Sequence, residues 1–195
     1  MKREQYRDEE ILKARQEQDM LTKLLAKKER SRRQIQEIKE GCTVISKEEV
    51  FFERKNFFKG FISLMLPTNF SEKEADGDAY IYNSFAHDIH IIISFFNKKA
   101  EELELKHYKE QVAKNMKKEA NTDIQWLEEG LFMENGYKIT YVAFTCPVEE
   151  SFIYNFIFFT TKGEKTVIIN FNCMEHQLED WETVGKAIMQ TVEVY

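Results

Sequence analysis

The feature that most constrains this chain is the stretch from Phe152 to Met174, FIYNFIFFTTKGEKTVIINFNCM, in which two strand-like runs flank one glycine. Successive side chains of a strand point to opposite faces, yet both sets are apolar here. Aromatic residues alternate with Ile and Phe along the first run, so each set would face a different layer. Strands that are apolar on both faces are buried on both faces. The stretch therefore predicts a hairpin, turning at Lys162-Gly163-Glu164, inside a sheet that helices cover on each side.

The composition allows one hydrophobic core with an appended element. The chain has 195 residues, of which 43% are hydrophobic and sixteen are Phe. Its longest apolar run, Ile89 to Phe96, has the length of a strand and falls well short of the roughly 18 residues of a membrane span. The charged N-terminus differs from a secretory signal, and three widely spaced cysteines suit a reducing compartment. We therefore expect a cytoplasmic location.

Charge divides the chain at Gly41. Residues 1–40 hold 12 Lys and Arg against 9 Asp and Glu, a net charge of +3, whereas residues 41–195 hold 16 against 25, a net charge of −9. Good helix formers dominate the first forty residues, which lack Pro and Gly, and Gly41 has the place of a C-cap glycine. We expect one helix over residues 3–40. It separates a charged helical arm, residues 1–41, from an α+β domain, residues 42–195.

Apolar residues are sparse in this arm. A heptad through its second half keeps only four of six core positions apolar, fewer than an autonomous coiled coil requires. The arm either packs on its own domain or a symmetry mate, or docks on another protein. The candidate partner-binding residues are Leu21, Leu24, Leu25, Ile35 and Ile38. We expect no nucleic-acid binding, because acidic residues are interleaved through the arm and the following domain is acidic.

From Cys42 onward, β-branched and aromatic runs alternate with turn signals. Apolar residues at helical spacing predict an amphipathic helix over about residues 101–119, and a second from Leu178 to Met189. Asn135-Gly136 is a hairpin signal, and Thr191 to Val194 is a short final strand. The order of strands, helix, strands, helix and strand, joined by hairpins, predicts an α+β fold with a mostly antiparallel sheet.

Residue patterns that carry chemistry are scarce. His87 and His90 are three apart in a strand-like segment, so they would point to opposite faces and could not readily share a metal ion. Cys146 and Cys173 lie beside acidic segments, which raise rather than lower a thiol pKa. Carboxylate pairs, Glu128-Glu129 and Glu149-Glu150, fall at predicted turns, and no nucleotide-binding or nucleophile-elbow motif occurs. We expect no catalytic residue, no metal site and no cofactor.

Three segments of the domain resemble the PsbP-like fold. They are ISLMLPTNF near its start, the mid-chain helix LKHYKEQVAKNM, and the ending FNCMEHQLEDWETVGKAIMQTVEV. This fold is shared by the photosystem II protein PsbP, by a Ran-binding nuclear-import factor and by bacterial DcrB-like proteins, which include Eag-type chaperones of secreted effectors. The resemblance covers about residues 44–195 and implies an α/β/α sandwich that binds other proteins without a shared catalytic motif.

The leading hypothesis is a non-enzymatic protein-binding module, an adaptor or chaperone for a secreted or membrane-associated effector. A sheet face that helices cover only in part would offer such a module an apolar groove, unless the arm itself fills it, which we expect. Two alternatives stay open. One is a small-molecule or lipid-binding protein with an aromatic-lined pocket, and the other is a structural oligomer joined through the N-terminal helix.

Overall fold

The structure, a computed structural model, describes residues 2–75, 77–97, 105–120, 122–134 and 136–195. These residues form three α-helices, a short 3-10 helix and eleven strands. The α-helices are α1 (Lys2–Glu40), α2 (Leu105–Ala120) and α3 (Leu178–Met189), and the 3-10 helix, Glu175–Gln177, leads directly into α3. No described helix is long and apolar enough to cross a membrane.

Seven antiparallel strands form the large sheet, in the order β4-β5-β6-β10-β9-β8-β7. Their bounds are β4 (Ser71–Ala75), β5 (Ala79–Ser84), β6 (Ile89–Phe96), β7 (Gln125–Glu134), β8 (Tyr137–Val148), β9 (Ser151–Lys162) and β10 (Lys165–Met174). The hairpin that the apolar stretch predicts is β9–β10, and its turn spans Gly163 and Glu164. Strand β10 is central, because it also pairs with β6 through a register that sets Ile169 opposite Ile93.

A second, smaller sheet has the order β1-β2-β3-β11. Its strands are β1 (Cys42–Ile45), β2 (Glu48–Phe57), β3 (Ile62–Pro67) and β11 (Glu193–Val194). Every residue of β3 is buried. Pro67 is the last residue of β3, and the short final strand pairs with β3 rather than joining the large sheet.

Two apolar clusters lie on opposite faces of the large sheet. The larger joins Tyr154, Phe156 and Phe158 of β9 to α3 and to the small sheet, and the smaller packs Ile157 of β9 beneath α2. Burial of the central hairpin on both faces is therefore confirmed. The covering layers differ from the expected pair of helices, since one face is closed by α3 together with the small sheet.

The helix boundaries follow the sequence patterns closely. Helix α1 spans the expected residues and ends at Glu40, just before Gly41, and α3 has the expected bounds. Helix α2 begins at Leu105 in the described chain, and the earlier part of its predicted range, residues 101–104, lies outside the described residues, as does Asn135 of the predicted hairpin turn. The architecture is the expected α+β fold, with antiparallel pairing throughout the described strands.

Candidate protein-interaction surface

The last two turns of α1 are anchored in the domain. Ile38 is fully buried in the larger apolar cluster, Gln34 is buried beside it, and Ile35 packs against the same cluster. The hydroxyl of Thr43, in β1, donates a hydrogen bond to Oε2 of Glu37 at 2.5 Å. The helix makes its main contacts with α3, β1 and β2, so it does not fill a face of the large sheet. The expectation that the arm fills a partly covered sheet face is therefore wrong.

Gly41 makes the change of direction from helix to strand. Its φ of +99° lies in the left-handed region that favours glycine. The amide donates to the carbonyl of Ile38 at 3.1 Å, while the carbonyl accepts from the amide of Phe52 at 2.8 Å. A Cβ at this position would lie 3.3 Å from the carbonyl oxygen of Phe52. Gly41 thus caps α1 through its amide and begins the pairing of β1 with β2 through its carbonyl.

The candidate partner-binding residues fall into two groups. Ile38 and Ile35 are held by the domain, so Ile38 offers no surface to a partner. Leu21, Leu24 and Leu25 are each more than half exposed, together with their neighbour Met20. These four residues, which we call the leucine patch, lie on the part of α1 that extends beyond its anchored end.

A second exposed apolar surface lies on β7, at one edge of the large sheet. Leu127, Leu131 and Met133 are 47%, 53% and 59% exposed, and we call them the β7 patch. Strand β7 pairs with β8 through an irregularity between Trp126 and Glu128, and no described strand pairs with its outer edge. Sequence analysis did not single these residues out, because only the strand order makes β7 an edge strand.

The face of the large sheet beneath α2 is covered unevenly. The small cluster under α2 involves β7, β8, β9 and Ile168 of β10. On β5 and β6 the same face carries half-buried polar groups, and Nδ1 of His90 lies 2.6 Å from Oδ1 of Asn83. Farther along it, Oδ1 of Asn170 is buried without a hydrogen-bond partner among the described groups. This half of the face mixes amides with aliphatic side chains instead of forming an apolar groove.

His87 and His90 are separated by their surroundings, and only His90 lies in a strand. His87 lies in the turn before β6, where its ring is 5.5 Å from that of Trp181 and its Nε2 is 3.9 Å from a carboxylate oxygen of Glu48. His90 is directed to Asn83. Among the described residues, no group of three or more His, Cys, Asp or Glu is arranged to hold a metal ion.

An ionic group lies between α3 and β7, and it includes Glu128, which the sequence analysis expected at a turn. The Lys186 ammonium contacts Glu128 at 2.5 Å and Glu182 at 2.8 Å. Burial lowers the pKa of Lys186, but its hydrogen bonds to both carboxylates outweigh this and leave the pKa raised. Glu128 and Glu129 both lie within β7, so the expectation that this carboxylate pair falls at a turn is wrong. The Glu182–Lys186 spacing is a recognisable helix pair, whereas Glu128 is brought in by tertiary packing.

The nearby tyrosine fits a structural role for this group. Burial, reinforced by Glu182 and Glu128, raises the pKa of Tyr154, so its hydroxyl stays protonated. The three charged side chains are satisfied by one another. They form a fixed pair of salt bridges that ties α3 to the edge strand of the large sheet.

Two cavities bear on the alternative of a small-molecule site. Between α3 and the large sheet, a cavity of about 190 Å³ is lined by Phe132, Tyr141 and Phe156 among others. It is smaller than the roughly 300 to 1,000 Å³ of typical ligand pockets. A groove of about 550 Å³ between α2 and β7 is lined largely by charged residues, and its Trp126 ring is covered by the Lys109 ammonium at 4.6 Å.

Comparison with known proteins gives structural matches only. No protein-family model matches the sequence, and the comparison with curated proteins finds no match either. The solution structure of cyanobacterial PsbP (CyanoP) from Synechocystis matches with a TM-score of 0.63 at 11% identity, covering 74% of this chain and 92% of that chain.

Two further solved structures also match this chain. The Ran-binding protein Mog1p of Saccharomyces cerevisiae has a TM-score of 0.56 at 12% identity, covering 74% of this chain and 96% of that chain. A crystal structure from Bacteroides thetaiotaomicron has a TM-score of 0.50 at 12% identity, covering 73% of this chain and 48% of that chain. Identities this low concern the backbone architecture alone. On that architecture, the chain has the PsbP-like fold.

Proposed function

We propose that this chain is a non-enzymatic protein-binding module that acts in the cytoplasm as an adaptor. One observation carries the proposal: most of the large exposed apolar side chains of the described residues fall on two surfaces, the leucine patch and the β7 patch. An adaptor needs two such surfaces, one for each protein that it joins. The arm, residues 1–41, supplies the first surface and the domain, residues 42–195, supplies the second.

The size of the leucine patch indicates what its partner must contribute. Covering the exposed part of each of its four side chains stabilises a complex by about 1 kcal/mol. Association itself costs on the order of 4 kcal/mol or more, so the apolar contacts roughly cancel this cost. A stable complex therefore also needs complementary charges beside the patch. The charged residues that surround Leu21, Leu24 and Leu25 on α1 meet that need.

The β7 patch suits an extended segment of the second protein. The outer edge of a ten-residue strand has backbone groups that an added strand can pair with. Exposed Leu131 and Met133 alternate along this edge and would give such a strand apolar contacts. By analogy with the Eag-type chaperones that the sequence resembles, the second protein is a secreted or membrane-associated effector.

The test compares full-length chains in affinity capture from the organism that makes this protein, with captured proteins identified by mass spectrometry. One variant carries Leu127→Gln, Leu131→Gln and Met133→Gln, and its matched control carries Leu21→Gln, Leu24→Gln and Leu25→Gln. Each variant replaces three exposed side chains, so both are expected to fold. We expect the β7 variant to lose the effector by at least tenfold while the arm variant retains it. Equal recovery by both variants, or no effector with the unaltered chain, would contradict the proposal.

A further inference from the structure

We propose that the leucine patch binds one short amphipathic α-helix of another protein, with acidic residues beside the apolar stripe of that helix. This inference rests on the proposed function, because it gives the chemistry of the partner that one of the two surfaces takes. The four side chains of the patch follow the spacing i, i+1, i+4 and i+5. They therefore form a single stripe along α1, which is the kind of surface that one partner helix covers.

The leucine patch lies on the same side of α1 as the residues that anchor this helix. Leu21 precedes Ile35 by fourteen residues, and Leu24 precedes Ile38 by fourteen. Fourteen residues make about 3.9 helical turns, so the two pairs of side chains point in nearly the same direction. Ile38 is buried in the domain, and Ile35 packs against the same apolar cluster. The patch therefore lies in a corner that α1 forms with the domain.

Arg30 marks the end of this corner at the domain. Its guanidinium lies 3.9 Å from Oδ1 of Asp180 in α3, and the hydroxyl of Ser46 donates a hydrogen bond to Oδ2 of the same carboxylate. From residue 15 to residue 29, the described side chains are exposed over roughly 21 Å of helix. This length of α1 is free to contact a partner.

The corner selects the shape of the occupant. The domain lies on the same side of α1 as the patch, so it hinders the approach of a broad, flat surface such as a membrane. A helix that follows α1 past residue 30 would overlap the domain. A short helix, about 10 Å across, fits between these limits, with one end next to the domain and its apolar stripe on the leucine patch.

Two basic side chains between the patch and the domain indicate the charge of the partner. Lys28 follows Leu24 by four residues, and Arg32 follows Leu25 by seven, so both continue the face of the patch. Both are exposed, and neither has an ion-pair partner among the described residues. Together with Leu25 they line a groove of about 430 Å³ on α1. A partner carboxylate in this groove would pair with both cations.

The other charges of the exposed part of α1 favour the same partner. Residues 15–33 hold seven Lys and Arg against three Asp and Glu, a net charge of +4. Glu29 also lines the groove, but the two cations outnumber it. The negative charge of the domain is screened beyond about 8 Å at physiological ionic strength. The local cations therefore favour an acidic helix over a basic one.

The test is fluorescence anisotropy of the full chain with a labelled helical peptide of 15 residues at physiological ionic strength. The acidic probe has Leu at the spacing i, i+3, i+4 and i+7, flanked by Glu, and the basic probe has Lys in place of each Glu. We expect the acidic probe to bind at least tenfold more tightly than the basic probe. Leu21→Gln together with Leu24→Gln should raise the dissociation constant of the acidic probe at least tenfold.

Charge reversal separates recognition in the groove from general attraction to a basic helix. Lys28→Glu together with Arg32→Glu should invert the preference, so that the basic probe binds at least tenfold more tightly than the acidic one. The matched control, Lys23→Glu together with Arg33→Glu, makes the same change of charge at exposed sites on the far side of α1. It should leave the dissociation constant of the acidic probe within threefold.

Several results would overturn the inference. They are no binding of the acidic probe to the unaltered chain, equal binding of the two probes, and equal effects of the two charge reversals. Binding to vesicles that contain phosphatidylserine, without binding of the acidic probe, would also overturn it and would assign the patch to a membrane. Capture of the effector without binding of the acidic probe would refute this inference alone. Binding of the acidic probe without capture of an effector would refute the effector-binding function alone.

Discussion

Two of the three cysteines lie in the core, on opposite faces of the large sheet. Cys146 belongs to the cluster under α2, and Cys173 to the cluster that α3 covers. Burial raises the pKa of the Cys146 thiol, and burial with a smaller contribution from Glu182 raises the pKa of Cys173 to about 12. A thiol attacks as its thiolate. These two positions therefore favour an inert, protonated sulfur.

Thiol labelling at pH 8 tests whether the buried Cys146 and Cys173 react more slowly than Cys42. We expect Ellman's reagent to react quickly with the half-buried Cys42 and to reach Cys146 and Cys173 only when the chain unfolds. The native protein should release one equivalent of dye in the fast phase and denatured protein three. The variant Cys42→Ser should lack the fast phase. A fast phase of two or more equivalents would contradict the burial of the other two thiols.

At the scale of elements, α1 has two parts with different environments. Its anchored end contributes Ile38, 0% exposed, to the core, whereas Leu24, about four turns earlier, is 62% exposed. Both side chains are similar in size and lie on one continuous helix. The predicted boundary at Gly41 reflects composition and the helix end. Packing links residues 34–40 with the domain that follows.

Truncation at two points measures this division. Residues 34–195 should have the same free energy of unfolding as the full chain when both are studied as monomers. Residues 42–195 lack Ile38 and should lose about 3 kcal/mol or more, through lost burial and an opened cavity. Urea titration gives both values. As matched point variants, Ile38→Ala should cost about 2 to 4 kcal/mol and Leu24→Ala about 0.5 kcal/mol or less. Equal stability of the two truncated chains would show that the anchor contributes nothing.

At the scale of the whole molecule, folding keeps several groups protonated at pH values at which they ordinarily lose their protons. Burial raises the pKa of Tyr108 to about 12, and the pKa values of Cys173 and Lys186 are also raised. The unfolded chain releases these protons at the ordinary values of 10.0, 9.0 and 10.5. At a pH above these values, the folded chain therefore binds more protons than the unfolded chain. The groups thus make their full contribution to the free energy of unfolding below pH 9. This contribution is lost as the pH rises toward 12.

Urea unfolding between pH 8 and pH 11.5 should show this loss directly. Above pH 10, Tyr108 contributes a decline in the free energy of unfolding of up to about 1.4 kcal/mol per pH unit. Tyr108→Phe removes that contribution while keeping the ring, so its curve should fall less steeply between pH 10 and pH 11.5. Parallel curves for the variant and the unaltered chain would contradict a raised pKa at Tyr108.

Much of the fold was predictable because the relevant signals are local. The helical spacing of Leu178 to Met189 and the two-faced apolar pattern of β9 and β10 each reside in a few consecutive residues. The pairing of β6 with β10 and the separation of β1, β2, β3 and β11 into their own sheet join distant segments. Many pairings satisfy the same alternation of side chains, so periodicity alone does not choose among them.

By itself, the sequence determined the element types, the burial of the central hairpin, the acidic domain and the exposed charge of the arm. Each of these follows from spacing, composition or propensity within one segment. Tertiary structure decided that Ile38 is core while Leu24 is surface, that Glu128 meets Lys186, and that β7 is an edge strand. The physical reason is that the exposure of a side chain depends on which distant surface packs against it. Ile38 and Leu24 are apolar residues of similar size on one helix, and they differ in whether the domain packs against them.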